Sequence, residues 1–570
     1  MRRVRAALAA AAAAAALGLG GLPGAARGAR PASGGPSLLR ALDPREADRV
    51  LALPGLGAPP PAPLYSGFLD AGPGAHFHYL FAEQEAGADG RRPDDGPLVL
   101  WLNGGPGASS MMGAFTELGP VILAADAPDG SPRLQLNPFA WTQAANMLFL
   151  ESPTGVGFSW CDEMQQPGGV CANGDTSTAA QNLAALRSFL ERFPEYKGRD
   201  FMIWGESYAG VYVPTLSLAV YKSDLELNLL GFGAGDPCTD DRTQTNAGRL
   251  DFNFEFAYRN GLLSQGLAQQ LRRCAQEQAA ASPEGGVDVE VWEGECRTAW
   301  RRYFIATSAG DGAGPPVKLP GYGFLDPYTA FGPNNTPYWK QFEVWANLPE
   351  VQAALHVEKA PGRPWTLFAS HLNYTVEYQA CAGAPTRYNT SMIPIYNELV
   401  GKVRNVVVFS GDVDPSVQMR GTENAVGGMD AAPLSGGSWR PWFHGTVPVP
   451  APVLAAKSPY WGPQLSSHTD GVQLGGYVQD FEGGLSFCTI HGAGHMVPQY
   501  RPVAALHLFK RALAGRPLAP LLPEEDIASD SDADFFGDET TPGALSRWVE
   551  SAEASGFTNR ARRPRPASAT

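Results

Sequence analysis

The sequence predicts an α/β protein: a central, mostly parallel sheet flanked by helices, with an inserted cap subdomain. Three observations carry that class. Five short apolar runs, at 98–102, 147–150, 201–204, 406–409 and 487–490, are nearly unbroken by polar residues. A strand covered on one face alternates, whereas one covered on both faces reads as a continuous apolar run. Between the second and third runs, Leu183, Leu186, Phe189, Leu190 and Phe193 recur at helical spacing, with Asp175 or Thr176 placed to cap the helix. Strands alternating with such helices imply a parallel sheet. Finally, the rhythm breaks from about 240 to 338, where the helix-like 265–278 and the loop-rich 310–323 read as a cap inserted over the sheet.

Around this core the chain divides by composition. Arg2, Arg3 and Arg5 precede an Ala/Leu stretch, so 1–29 reads as an export signal, too short in its apolar part for a membrane span. Residues 30–63, rich in Pro, Gly and Ala, read as a lead-in. The core then runs over 64–239 and 339–520, interrupted by the cap at 240–338. Acidic 524–539 and basic 560–565 mark 521–570 as a disordered tail.

The 570 residues carry a formal net charge of -14. That argues against nucleic acid, which demands a clustered basic surface. No later segment is apolar enough to span a membrane. A homodimer stays open. The seven cysteines are Cys161, Cys171, Cys238, Cys274, Cys296, Cys381 and Cys488. An odd count leaves at least one unpaired. Cys161 and Cys171 bracket a polar loop suited to a short bridge, and Cys488, in an apolar run, is the candidate free thiol; the pairing of the rest is not fixed. Asn334, Asn373 and Asn389 begin glycan-acceptor triplets, which suit a secretory route.

The chemistry centres on Gly205-Glu-Ser207-Tyr-Ala209-Gly. An apolar strand ends there and a helix-like segment follows, so the serine sits on a tight turn above the sheet. Ala209 stands where the usual elbow has a second glycine. A serine nucleophile requires a base and a carboxylate that orients it. In the α/β-hydrolase layout these follow in the order Ser, Asp, His, each just past a strand. The run 406–409 leads into Asp412 and Asp414, and 487–490 into His491 and His495. His495 lies beyond a Gly-Ala-Gly turn that can swing it over the sheet edge, and is the expected base. Glycines between the two histidines oppose the helix that an i, i+4 zinc pair requires, which speaks against zinc there; no metal and no cofactor is expected. The oxyanion donors are expected from the N–H of Tyr208 and from Gly105, in the glycine loop 103–107 after the first run.

Several longer motifs extend the pattern: Trp101-Leu-Asn-Gly-Gly-Pro-Gly107, Asn137-Pro-Phe-Ala-Trp141 with Asn146, and Leu150-Glu-Ser-Pro-Thr-Gly-Val-Gly-Phe-Ser159. With Gly205–Gly210, Gly411-Asp-Val-Asp414 and Gly494-His-Met-Val-Pro498, they resemble the serine carboxypeptidase family from about Tyr65 to about Leu518. The resemblance implies an α/β-hydrolase fold with a cap, and removal of residues from peptide or protein C-termini at acidic pH. It makes Asp414 the catalytic acid and Asp412 structural. It also places a clamp for the substrate's terminal carboxylate on Asn103, Gly104, Glu117 and Glu206, where two crowded carboxyls share a proton. Ala108 stands where the family carries a cysteine bridged to a later segment. The matching position in 365–375 is expected at Ala369, so both halves of that bridge are missing together, unless Cys381 is the half that lost its partner. The resemblance also admits two other functions on this scaffold: an acyltransferase using an ester donor, and a protective or scaffold protein. The location it implies is the secretory pathway, extracellular or vacuolar/lysosomal.

Overall fold

A computed structural model describes residues 44–556, apart from 88–89, 91, 94, 125–130, 245–249, 282–290, 308–335, 370–371, 383–385, 446–470, 530 and 539. The export signal, the loop 310–323 and Asn334 therefore lie outside the described residues.

Among the described residues one twelve-stranded sheet dominates. Its principal strands are β1 (Leu64–Asp70), β2 (Ala75–Ala82), β3 (Leu98–Leu102), β4 (Asn146–Leu150), β5 (Asp200–Glu206), β6 (Asn228–Gly235), β7 (Asn405–Gly411), β8 (Arg440–Gly445), β9 (Val472–Asp480) and β10 (Leu485–Ile490). The order across the sheet is β1-β2-β4-β3-β5-β6-β7-β10-β9-β8. The six from β4 to β10 run parallel, and the strands on either side pair antiparallel. The five apolar runs are five of these six parallel strands, all but β6, and both faces are indeed buried. Val99, Trp101, Met202, Trp204, Val407 and Phe409 enter the core on one face. Leu98, Leu100, Leu102, Phe201, Ile203, Val406 and Val408 enter the core on the other.

The helix α1 (Asp175–Arg192) packs beside α2 (Ala209–Lys222) on the second face. The excursion after β6 holds α3 (Leu250–Arg259), α4 (Gln265–Ala281) and α5 (Gly294–Thr307). These share a core of their own around Phe254, Leu271, Trp292, Trp300 and Tyr303, and Cys274–Cys296 links α4 to α5. The helix α6 (Thr336–Ala346) does not belong to that unit, although the sequence reading ran the cap to 338. Its Phe342 and Trp345 pack on Phe115 in the main core. On the same face, α7 (Pro502–Leu513) stacks Phe509 on Trp141 at 4.0 Å.

Two expectations from composition fail. The lead-in from 44 onward is part of the fold: Val50, Leu53 and Leu56 are buried, and Trp345 Nε1 donates to the Pro54 carbonyl at 2.9 Å. Nor is 521–556 a disordered tail. It holds helices Glu524–Ile527, Asp532–Phe536 and α8 (Ala544–Gly556), and α8 packs along β8 with Ala544 and Ala552 buried. In both segments a few apolar residues at the right spacing outweigh a polar or Pro/Gly-rich average.

The disulfides are Cys161–Cys171, Cys238–Cys381 and Cys274–Cys296, and Cys488 is a buried free thiol. Cys381 thus has a partner. Ala108 lies antiparallel to Phe368, with Ser109 N–H donating to Leu367 O and Ala369 N–H to Gly107 O, both at 2.9 Å. The segment is the one expected, but the residue opposite Ala108 is Phe368, one place before Ala369.

Candidate active site

The parallel strands end on one edge, and the expected triad residues and Asn103 follow them, while Glu206 closes β5 and Glu117 ends the helical turn Gly113–Glu117. Asn103 follows β3, Ser207 follows β5, Asp412 and Asp414 follow β7, and His491 and His495 follow β10. Carboxyl ends of parallel strands are where α/β sheets meet their ligands.

Ser207 has φ +64°, a left-handed backbone in a non-glycine residue. That conformation costs roughly 1–3 kcal/mol and is held only where the surroundings over-determine it. Here Ser207 N–H donates to Gly235 O at 2.9 Å, and Ser207 O accepts from Gly210 N–H and Cys238 N–H at 2.8 and 2.9 Å. The turn holds the side chain partly exposed while its neighbours are buried. Ala209 tolerates the elbow because α2 starts at that residue.

Glycine is required across from the elbow. A Cβ on Gly104 would sit 2.7 Å from Glu206 O and 2.9 Å from Ser207 Cβ, and would crowd the Tyr208 N–H. The bare backbone lets the 103–107 loop close on the nucleophile. Gly105, the next residue, is exposed with φ +111°.

Two Asp–His pairs form side by side. His495 Nδ1 bonds Asp414 Oδ2 at 2.7 Å, and His491 Nδ1 bonds Asp412 Oδ2 at 2.8 Å. Burial separates them: side-chain exposures are 4% and 0% in the first pair, 62% and 24% in the second. Asp414 is further fixed by Ser416 N–H at 2.7 Å and Val417 N–H at 3.2 Å. Asp412 ties down the turn through Gly492 N–H at 2.6 Å.

Asn103, Glu117 and Glu206 meet in the interior. Asn103 Oδ1 accepts from Trp101 Nε1 at 2.8 Å and Gly113 N–H at 3.1 Å, which turns Nδ2 toward the acids. Nδ2 donates to Glu117 Oε1 at 3.1 Å and Glu206 Oε1 at 2.9 Å. The remaining oxygen of each glutamate is buried without a donor. Burial pushes Glu117 up to about 7. Burial, and then the charge of Glu117, holds Glu206 well above the carboxylate range. Two such groups share a proton rather than ionise together.

Sequence reasoning gave one acid a different task, as a helix cap, and missed another. Asp175, at the start of α1, accepts Tyr208 OH at 2.8 Å, Tyr374 OH at 2.7 Å, Glu377 N–H at 2.6 Å and Tyr378 N–H at 3.1 Å. It anchors the residue after the nucleophile. Asp236 follows β6, and its carboxyl, Asp414 and His495 present ligand-type atoms within 4.8 Å of one another. The sequence carried no plain signal for it, because β6 reads as a glycine-broken stretch and not as an apolar run.

A nucleophile elbow at the end of β5 and a buried His–Asp pair past the ends of β7 and β10, on a parallel sheet flanked by helices, are the arrangement of the α/β-hydrolase class. The chain belongs to the serine carboxypeptidase family, a family of hydrolases: the family's profile matches residues 54–515. "Serine carboxypeptidase-like 40" from Arabidopsis thaliana is 33% identical over 503 residues, covering 83% of this chain and 84% of that protein. "Serine carboxypeptidase-like 26" from the same plant is 33% identical over 490 residues, covering 83% and 94%. The prohormone-processing carboxypeptidase Kex1(Δ)p of Saccharomyces cerevisiae shares the fold, with a TM-score of 0.59 at 22% identity over 82% of this chain and 96% of that one.

Proposed function

We propose that this protein is a serine carboxypeptidase that removes C-terminal residues from peptides at acidic pH, with Ser207, His495 and Asp414 as its triad. The observation that carries this is the Asn103–Glu117–Glu206 cluster beside the nucleophile. A triad alone serves any acyl transfer. A buried pair of carboxyls sharing one proton offers an O–H donor to a substrate carboxylate, and Asn103 Nδ2 and the Gly104 backbone offer N–H donors beside it.

Each step has a residue. His495 Nε2 takes the Ser207 proton as the hydroxyl attacks the last peptide carbonyl, and Asp414 stabilises the imidazolium through Nδ1. The Gly105 and Tyr208 N–H groups hold the oxyanion. The imidazolium returns the proton to the leaving amine, the C-terminal amino acid departs, and water resolves the acyl-enzyme by the same route.

The three disulfides suit an oxidising compartment. No helix among the described residues is long and apolar enough to cross a membrane. Asn373 and Asn389 are exposed. We therefore place the protein in the secretory pathway, extracellular or vacuolar/lysosomal, with both asparagines as glycan acceptors.

The test is amino-acid release from blocked dipeptides across pH. Because the glutamate pair is held protonated by raised pKa values, KM should rise as pH climbs toward and past about 7, by up to roughly tenfold per pH unit once the pair is ionised. Glu117→Gln with Glu206→Gln should flatten that rise. An unchanged pH dependence in the double variant rejects the clamp, equal peptide release by Ser207→Ala rejects the triad, no release by the wild type leaves a protective or scaffold role, and ester transfer without peptide hydrolysis assigns an acyltransferase.

A further inference from the structure

Asp236 stands at the end of β6, fully buried, with φ +41°. Its Oδ1 accepts Ser410 Oγ–H at 3.0 Å and Gly411 N–H at 2.9 Å. Its Oδ2 is buried and receives no donor. The carboxyl lies within 4.8 Å of both Asp414 and His495. Asp414 meanwhile already accepts two backbone N–H groups and His495 Nδ1.

Two bare carboxylates at that separation in a dry interior repel strongly, and an unpartnered buried oxygen is costly in itself. One proton on Asp236 Oδ2 removes both costs. We propose that Asp236 is a positioning residue for the triad: it stays protonated, donates its O–H to Asp414, and so lets His495 remain a neutral base at acidic pH. The inference rests on the catalytic reading of Ser207, His495 and Asp414.

The direction of the effect follows from charge. A donor on Asp414 spreads its negative charge and weakens its hold on an imidazolium, so His495 keeps its proton less readily. Without the donor, Asp414 is a stronger partner, and His495 stays protonated and inactive to higher pH. The titratable groups around Asp236 act in the same sense. Burial and then the Asp414 charge push it well above the carboxylate range. From β5, Glu206 is pushed up by burial and Glu117 and then by the charge Asp236 would carry, and from β10 the Cys488 thiol by burial, then Asp480 and Asp236. An ionised Asp236 would therefore disturb the carboxylate cluster and the triad together, and a neutral one leaves both intact.

Two measurements test this, one of them independent of activity. Infrared difference spectra near neutral pH, wild type minus Asp236→Asn, should show one protonated-carboxyl band missing from the variant; equal band intensity in both overturns the proposal. In the pH profile of kcat/KM, Asp236→Ala should move the acidic limb upward by about one pH unit. The limb should stay in place in Asp236→Asn, whose amide also donates. A uniform drop in Asp236→Ala with the limb unmoved assigns a merely structural tie to Ser410 and Gly411 and also overturns it. A wild type that shows the band but hydrolyses no peptide would fail the functional reading while supporting the protonated state of Asp236.

Discussion

Among the described residues, two sets of serine, histidine and carboxylate stand in contrast, and the proposed function rests on the second. In the first, Ser66 Oγ meets His78 Nε2 at 2.9 Å, and His78 Nδ1 meets Glu151 Oε2 at 2.8 Å. All three residues are wholly buried. The Ser66 proton is engaged by Leu355 O at 2.7 Å, and Glu151 also holds Phe158 N–H, Trp365 Nε1–H and the Ser109 hydroxyl. Every donor has an acceptor, and no substrate could arrive. In the second, Ser207 stands partly exposed on a left-handed turn at the strand ends, with Gly104 pared back beside it. The constellation is therefore not the mechanism. Access, backbone strain and the bare Gly104 backbone are what set the proposed nucleophilic site apart from the buried one.

Substitutions can break the comparison. Ser207→Ala should lower kcat by roughly a millionfold without changing the thermal midpoint; comparable peptide release in the variant would erase the distinction. Asp414→Asn should cost roughly 10⁴ in kcat. Asp412→Asn should stay within a few-fold, because its histidine is exposed. Equal losses in the two variants would mean that burial does not separate the Asp–His pairs. Ser66→Ala should leave kcat in place and destabilise by about 1–3 kcal/mol, because it strands His78 Nε2 and the Leu355 carbonyl. A kcat defect without a stability loss would reverse that assignment.

Asp175→Asn belongs between the two classes. It weakens the anchor of Tyr208 without touching the reacting atoms, so a loss of about tenfold in kcat with little change in KM is expected. Steady-state kinetics that show a pure KM effect would place Asp175 in substrate binding instead.

Legibility in the sequence followed the physics of each segment. The parallel strands β3, β4, β5, β7 and β10 were plain because burial on two faces leaves no room for polar residues. By contrast, β2 buries His78 and β1 buries Ser66, so polar letters sit where a core pattern predicts apolar ones. Glycine obscured β6: Gly233 packs under Trp204 and Gly235 under Phe409, where a side chain would collide. The nucleophile was local enough to recognise, since strand, turn and helix are contiguous. Asp414 and Asp412 could not be ranked by position alone, because each has its own histidine. Asp236 is a single acid after an unrecognised strand, and its meaning appears only when β6 and β7 pair.

The last helix has a practical consequence. Among the described residues β8 is the terminal strand of the sheet, with no strand paired on its outer side. Gly556 of α8 lies against the Phe443 carbonyl there, so closely that a Cβ would come within 2.9 Å of it. Trimming the acidic C-terminal stretch as dispensable would uncover an open β edge, a template for strand addition by a second molecule. Shortened versions of this protein that lack the helix should therefore self-associate more readily than the full chain, a difference that light scattering would measure.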